Sequence, residues 1–376
     1  MTVIQQFLKW SKTANVAQRV DAAAALARAY IPGQLSFDDR NALEAALTLL
    51  VDDPSPKVRL ALSETLSLSR HAPAQVVAAL AADQTDVAAP MLARSPLLSD
   101  GDLVDLVAGG DDRAQVLIAS RPRVSMAVSA ALAEVGSAPA CVALVRNGGA
   151  QIAALSFRRM IERHGDNAAL RQAMARDERL PPDCRHLLVL RVGEALSAAP
   201  LVQTLMGPAR AEKLTRDACV KASIALIDSI DGTEYAALVE HMRLAGDLTS
   251  SFLVRAAAHG KVDFLAAAFA ALSDQSEKRV RTVLAAGRSA ALSALLARIG
   301  LKKSAHAPVL IALAFWRDAA NGRTTAGTLE ISRQMLQVLE DDETPGAGAL
   351  KRLLRQVHLE ALRANARAEA LALAAA

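Results

Sequence analysis

The chain has 376 residues, 52% of them hydrophobic, and its 43 Lys and Arg outweigh 39 Asp and Glu for a net charge of +4. That apolar share excludes disorder, and 81 Ala with 54 Leu against 11 aromatics excludes a sheet-rich fold built on aromatic and β-branched strands. Ala and Leu are strong helix formers, so the chain reads as all-α.

In chain order, Ser36-Phe37-Asp38-Asp39 has the spacing of a capping box and opens a helix through Leu50. Asp52-Asp53-Pro54-Ser55-Pro56 sets acids and prolines at the positive end of a helix over 56–69, whose Val58, Ala61, Leu62, Thr65 and Leu66 form one apolar stripe. A further helix is predicted over 74–82. Polar breaks then recur with helices behind them: Asp83-Gln84-Thr85-Asp86 before 87–92, Ser99-Asp100-Gly101-Asp102 before a helix to Ala108, Gly109-Gly110-Asp111-Asp112 before 114–119, and Arg146-Asn147-Gly148-Gly149 before 152–161. Starts near 56, 85, 112 and 150 repeat at intervals of 29, 27 and 38 residues. This pattern predicts an α-solenoid of degenerate HEAT-like antiparallel helix pairs, each covering its neighbour's apolar face.

Leu180-Pro181-Pro182-Asp183 is the expected boundary, because paired prolines cannot continue a helix. Residues 1–180 are then one array and 181–345 a second. A C-terminal helix, 346–376, caps the array or packs back onto it. Helices are predicted in the second part near 184–198, 210–229, 233–245, 249–258, 261–272, 276–286, 288–299, 306–319, 327–340 and 348–370, with breaks at Gly260, Ser273-Asp274, Gly287 and Gly300.

Two stretches resemble a known family. Leu92-Ala93-Arg94-Ser95-Pro96-Leu97-Leu98-Ser99-Asp100-Gly101-Asp102-Leu103 is similar to a recurring segment of the alphaproteobacterial domain of unknown function twenty-three thirty-six. The run Leu248 to Lys261, continuing through Phe264 to Phe269-Ala270-Ala271-Leu272, resembles its later half. The resemblance covers about residues 40–320 and implies a cytoplasmic bacterial protein of HEAT-like helical repeats. It implies no activity and no site residue.

There is no G-x-x-x-x-G-K-[ST], no H-E-x-x-H and no G-x-S-x-G. The cysteines Cys141, Cys184 and Cys219 are odd in number and widely spaced, which fits a reducing compartment better than a disulfide framework. Cys184 and His186 are too few to hold zinc, and the pairs Asp52-Asp53, Asp111-Asp112 and Asp341-Asp342 sit in helix breaks, where capping explains them. No cofactor and no catalytic residue is expected. The longest uncharged run, 195–209, contains Pro200, Gly207 and Pro208, so no membrane span is expected and the expected location is the cytoplasm.

Charge is distributed unevenly: −5 over 1–112, +5 over 113–190, −2 over 191–247, +7 over 248–339 and −1 over 340–376. Within the most basic segment, Lys278, Arg281 and Arg288 fall within about 80° of arc on one helix, with Lys302 and Lys303 following in sequence. Arg158, Arg159 and Arg163 form a second basic group, with Arg158 and Glu162 at pairing distance along a helix. The expected function is a non-enzymatic scaffold or adaptor that binds a protein, in bacterial signalling or assembly. The alternative is a helical-repeat protein that binds nucleic acid through these basic strips.

Overall fold

The computed structural model describes residues 9–31, 36–325, 327–340 and 346–375. The described residues form helices without a strand; an isolated parallel bridge joins Val124 and Ala150. The chain divides into two compact units, residues 1–184 and 185–376.

The first unit contains α1 (Val16–Tyr30), α2 (Phe37–Val51), α3 (Pro56–Leu66), α4 (Ala74–Ala81), α5 (Thr85–Arg94), α6 (Asp100–Gly109), α7 (Asp112–Ala119), α8 (Met126–Val135), α9 (Ala138–Arg146), α10 (Ala154–His164) and α11 (Ala168–Ala175). Their starts follow local chemistry. Ser99 and Asp102 cap α6 reciprocally, Asp111 accepts from the Ala114 N–H at the start of α7, and Pro56 occupies the first turn of α3. The break at 146–149 reads as the next helix start in the sequence, yet the repeating row continues earlier, with α9 opening at Ala138 behind Ser137 and with Pro139 in its first turn.

Packing in this unit follows a two-place rule. Each odd-numbered helix from α1 to α9 packs on the odd helix that follows it, ending on α11, while α2 packs on α4, α6 on α8 and α8 on α10. The contacts bury Leu62 and Leu66 of α3, Met91 and Leu92 of α5, Ile118 of α7, Leu144 of α9 and Met174 of α11. Burying one such side chain contributes roughly 1.5–3 kcal/mol, so the row rather than any single short helix holds the unit together.

The second unit comprises most of α12 (Pro182–Ala198), then α13 (Pro200–Met206), α14 (Pro208–Ile227), a 3-10 turn (Gly232–Glu234), α15 (Tyr235–Ala245), α16 (Ser250–Ala258), α17 (Val262–Ser273), α18 (Glu277–Ala286), α19 (Ser289–Arg298), α20 (Lys303–Ala320), α21 (Thr328–Gln337) and α22 (Ala347–Ala375). Here the packing converges on α16, which touches α14, α17, α20, α21 and α22 and is buried from Phe252 to Ala258. Its run of small residues after Arg255, Ala256 to Ala258, lets those neighbours approach closely. The helix ends at Gly260, Asp274, Gly287 and Gly300 all take left-handed backbone, where the sequence places its breaks.

No single described helix is long and apolar enough to cross a membrane; α12 and α13 reach that hydropathy only together, bent by 63°.

Candidate functional site

The Arg158, Arg159 and Arg163 group lies on α10, half-buried. Arg158 Nη2 donates to Asp183 Oδ2 at 2.5 Å, and Arg159 makes two bonds to the Glu134 carboxylate at 2.7 and 2.9 Å. Glu162 pairs with Arg159, at 3.6 Å, rather than with Arg158. Arg163 Nη1 donates to the carbonyls of Ala133 and Gly136, both at 2.9 Å, closing the C-terminal end of α8. These three cations join α10 to its neighbours.

Similar rungs run through the first unit. Arg19 binds Asp53, Arg59 binds Asp83, Arg113 pairs with Asp86, and Arg121 donates to the carbonyls of Leu92 at 2.7 Å and Ser95 at 2.6 Å. Asn147 donates to the carbonyls of Ala119 and Arg121, and Arg179 to those of Val145 and Ala150. Each partner lies one helix pair away, 24 to 34 residues along the chain. The sequence does not reveal these rungs: Arg121 and Arg179 bond to carbonyls, which have no complementary residue type, and the carboxylate partners of Arg19, Arg59 and Arg113 lie 24 to 34 residues away.

In the basic segment, α18 ends at Ala286 and Gly287 is left-handed at φ 64°. Arg288 therefore lies beyond the helix, and the predicted arc holds for Lys278 and Arg281 alone. Arg281 donates to Glu277 at 2.7 Å and also pairs with Asp263, which raises its pKa through those hydrogen bonds. Lys278, Arg288, Lys302 and Lys303 are exposed and make no ion pair among the described residues. Lys302 and Lys303 stand at the N-terminus of α20, the end of a helix where cations are least favoured.

A crevice of about 700 Å³ lies in the second unit, lined by His259, Thr325, Thr328, Glu330, Glu360 and Asn365 among others. Behind Glu360 lies Arg255, 2% exposed, whose Nη1 is 3.4 Å from Glu360 Oε2; Lys221 Nζ meets the other carboxylate oxygen at 2.6 Å. Burial, and then the charges of Lys261 and Arg255, lower the His259 pKa and favour neutral imidazole. Arg333 and Gln334 hold the Glu330 carboxyl at about 2. The crevice thus offers hydroxyl, amide and imidazole groups, while its carboxylates are engaged by the protein's own cations. Arg255 and Glu360 are 105 residues apart, and nothing in the sequence pairs them.

The close pair Cys184 and His186 forms no common site. Cys184 Sγ donates to the Ala154 carbonyl at 3.8 Å, and burial raises its pKa to about 12. The His186 ring meets His241 edge-on at 5.4 Å. Asp111 caps α7, as capping predicts, whereas α3 has no side-chain cap bond and Asp53 instead accepts from Arg19 and from the Ser55 N–H; Asp341-Asp342 lies outside the described residues. Among the described residues, no three His, Cys, Asp or Glu are grouped to hold a metal ion.

These features describe an all-helical protein whose first unit is crossed by arginine rungs. Residues 87–345 match the DUF2336 family model, described as an uncharacterised protein conserved in bacteria, and the chain belongs to that family. Neither the curated proteins nor the solved structures contain a significant match to the chain.

Proposed function

We propose that the first unit is an α-solenoid of short HEAT-like helix pairs and that the protein is a non-enzymatic scaffold or adaptor, binding protein partners in bacterial signalling or assembly. The observation that carries this reading is the unbroken odd-helix row from α1 to α11, with side-chain rungs between its pairs. In a stack of this kind each pair is held by its neighbours alone, so the outer side chains are released from the core and can be given to a partner.

The test is affinity purification of the tagged protein from its host, with and without nuclease and at two salt concentrations, followed by reconstitution from purified components. A protein that survives nuclease and moderate salt, and re-forms a stoichiometric complex when purified, is the expected result. Recovery of nucleic acid alone, lost at higher salt, would overturn the reading. That outcome would favour the alternative of nucleic-acid binding, which draws on the exposed Lys278, Arg288, Lys302 and Lys303.

A further inference from the structure

Four of the large exposed apolar side chains of the first unit recur in register, while Trp10, Val16, Leu49 and Val135 lie outside it. Leu68, Leu97, Met126 and Leu155 are 67%, 37%, 56% and 74% exposed, and each follows its predecessor by 29 residues in the sequence. All four lie where the chain passes from an odd helix to the even helix after it: between α3 and α4, between α5 and α6, and at the starts of α8 and α10. Phe37, 78% exposed, holds the same place at the start of α2.

These connections touch one another in succession. Arg94 Nε donates to Ser67 Oγ, linking the first to the second, and Arg121 Nη2 donates to the Ser95 carbonyl, linking the second to the third. The third and fourth are joined backbone to backbone, the Gln151 N–H donating to the Val124 carbonyl at 2.9 Å. Gly149 permits that approach, since a Cβ there would lie 2.1 Å from the Pro122 carbonyl oxygen. The four side chains therefore belong to one continuous edge, stepped by one helix pair at a time.

We propose that this edge is a docking row for an acidic amphipathic α-helix that presents an apolar residue every seventh position. Packed helices stand 8–10 Å apart, so the row advances by about 10 Å per step. Seven residues of α-helix advance about 10.5 Å, which keeps successive knobs of the partner in phase with the row. A lipid surface has no such period and requires none. Charge selects the sign of the partner: Arg70, Arg94 and Arg123 lie within three residues of the row, exposed and without a carboxylate partner among the described residues. The nearby Asp100 occupies the first turn of α6, where it serves the helix dipole and acts on Arg121. The sign reverses only at the Phe37 end, beside Asp38 and Asp39. This chain's own exposed helix end, beyond Ala361 on α22, carries Arg363 and Arg367 against Glu369 alone and so matches the row's sign rather than complementing it.

The inference rests on the stacked-repeat reading of the first unit, and two measurements separate them. The first is fluorescence anisotropy of the full chain with a stapled, monomeric helix of about 28 residues bearing Leu at every seventh position and Glu beside it. A shuffled peptide of the same composition and a Lys-for-Glu version serve as controls. Saturable binding of the acidic heptad peptide is expected, at least tenfold weaker for both controls and for the variant Leu97→Ser/Met126→Ser, whose thermal midpoint stays at that of the parent. Equal binding of the shuffled peptide or of the variant would overturn the docking row. So would loss, in that variant, of binding to phosphatidylglycerol vesicles or of self-association in place of peptide binding. The second is spin-label distances from position 68 to 97, 126 and 155. Stepwise lengthening is expected, and without it the repeat reading fails as well; stepwise lengthening with no peptide binding rejects the partner alone.

Discussion

The guanidinium of Arg121 donates to the main-chain carbonyl of Leu92, 29 residues earlier, at 2.7 Å. It also donates to Ser95, so a single buried side chain closes the C-terminal end of α5 that the helix itself leaves open. Desolvation lowers the Arg121 pKa, and no carboxylate bonds it. Replacing it by Ala leaves the two carbonyls without their donor. Arg121→Ala is expected to cost about 2–4 kcal/mol in urea unfolding, with faster amide exchange at the end of α5. A change under about 0.5 kcal/mol would show that water replaces the guanidinium at no cost.

Gly260 closes α16 at φ 73°, and the Trp316 indole lies over it while donating to the Ala257 carbonyl at 2.8 Å. A Cβ at this position would stand 2.7 Å from the indole ring. Gly260→Ala therefore meets both backbone strain and a clash, and a loss of at least about 2 kcal/mol is expected, with a shift in tryptophan emission. Gly300, left-handed with open space where its Cβ would be, is the control, and Gly300→Ala should cost only about 1 kcal/mol.

Stability should fall in mild acid through His186. Burial and the neighbouring His241 depress its pKa to about 4, whereas in the unfolded chain it titrates near its ordinary value. Between those two values the unfolded state binds more protons, so the contribution is fully present above about pH 6.5 and is lost as pH falls towards 4. The loss is roughly 3 kcal/mol. Urea midpoints at a series of pH values should show it, and His186→Phe should flatten the slope. A variant as acid-sensitive as the parent would assign the effect to other groups.

The three thiols should react in a fixed order. Burial raises Cys141 to about 11 and Cys184 to about 12, while Cys219 is half-buried and less strongly raised. Iodoacetamide at pH 8 should modify Cys219 first, with Cys141 and Cys184 following only on unfolding. Early modification of Cys141 would mean that α9 opens locally.

Element type was legible because helix caps and apolar stripes are local. Ser99 with Asp102, Pro56, and the glycines at 260, 287 and 300 stand at helix ends that the structure retains. Phase was harder to read. The conspicuous break at 146–149 is a connection between α9 and α10, and the start at Ala138 has only Ser137 and Pro139 to announce it. The short α13 is flanked by Pro200, Gly207 and Pro208, which read as a loop. The polar groupings were least legible: Arg158 and Arg281 show as surface charge in sequence, and their partners Asp183 and Asp263 become visible only when the helices are packed.

If nearest-neighbour stacking holds the first unit, one helix pair can be excised from it without loss of the fold. Deleting residues 97–125 joins Pro96 to Met126, removes α6 and α7, and restores an odd-to-even connection between α5 and α8. The shortened full chain is expected to unfold cooperatively at a lower urea midpoint, with ellipticity per residue equal to that of the parent. An unfolded or aggregated product, under conditions where the parent is monodisperse, would contradict the claim and indicate a core shared across the whole unit.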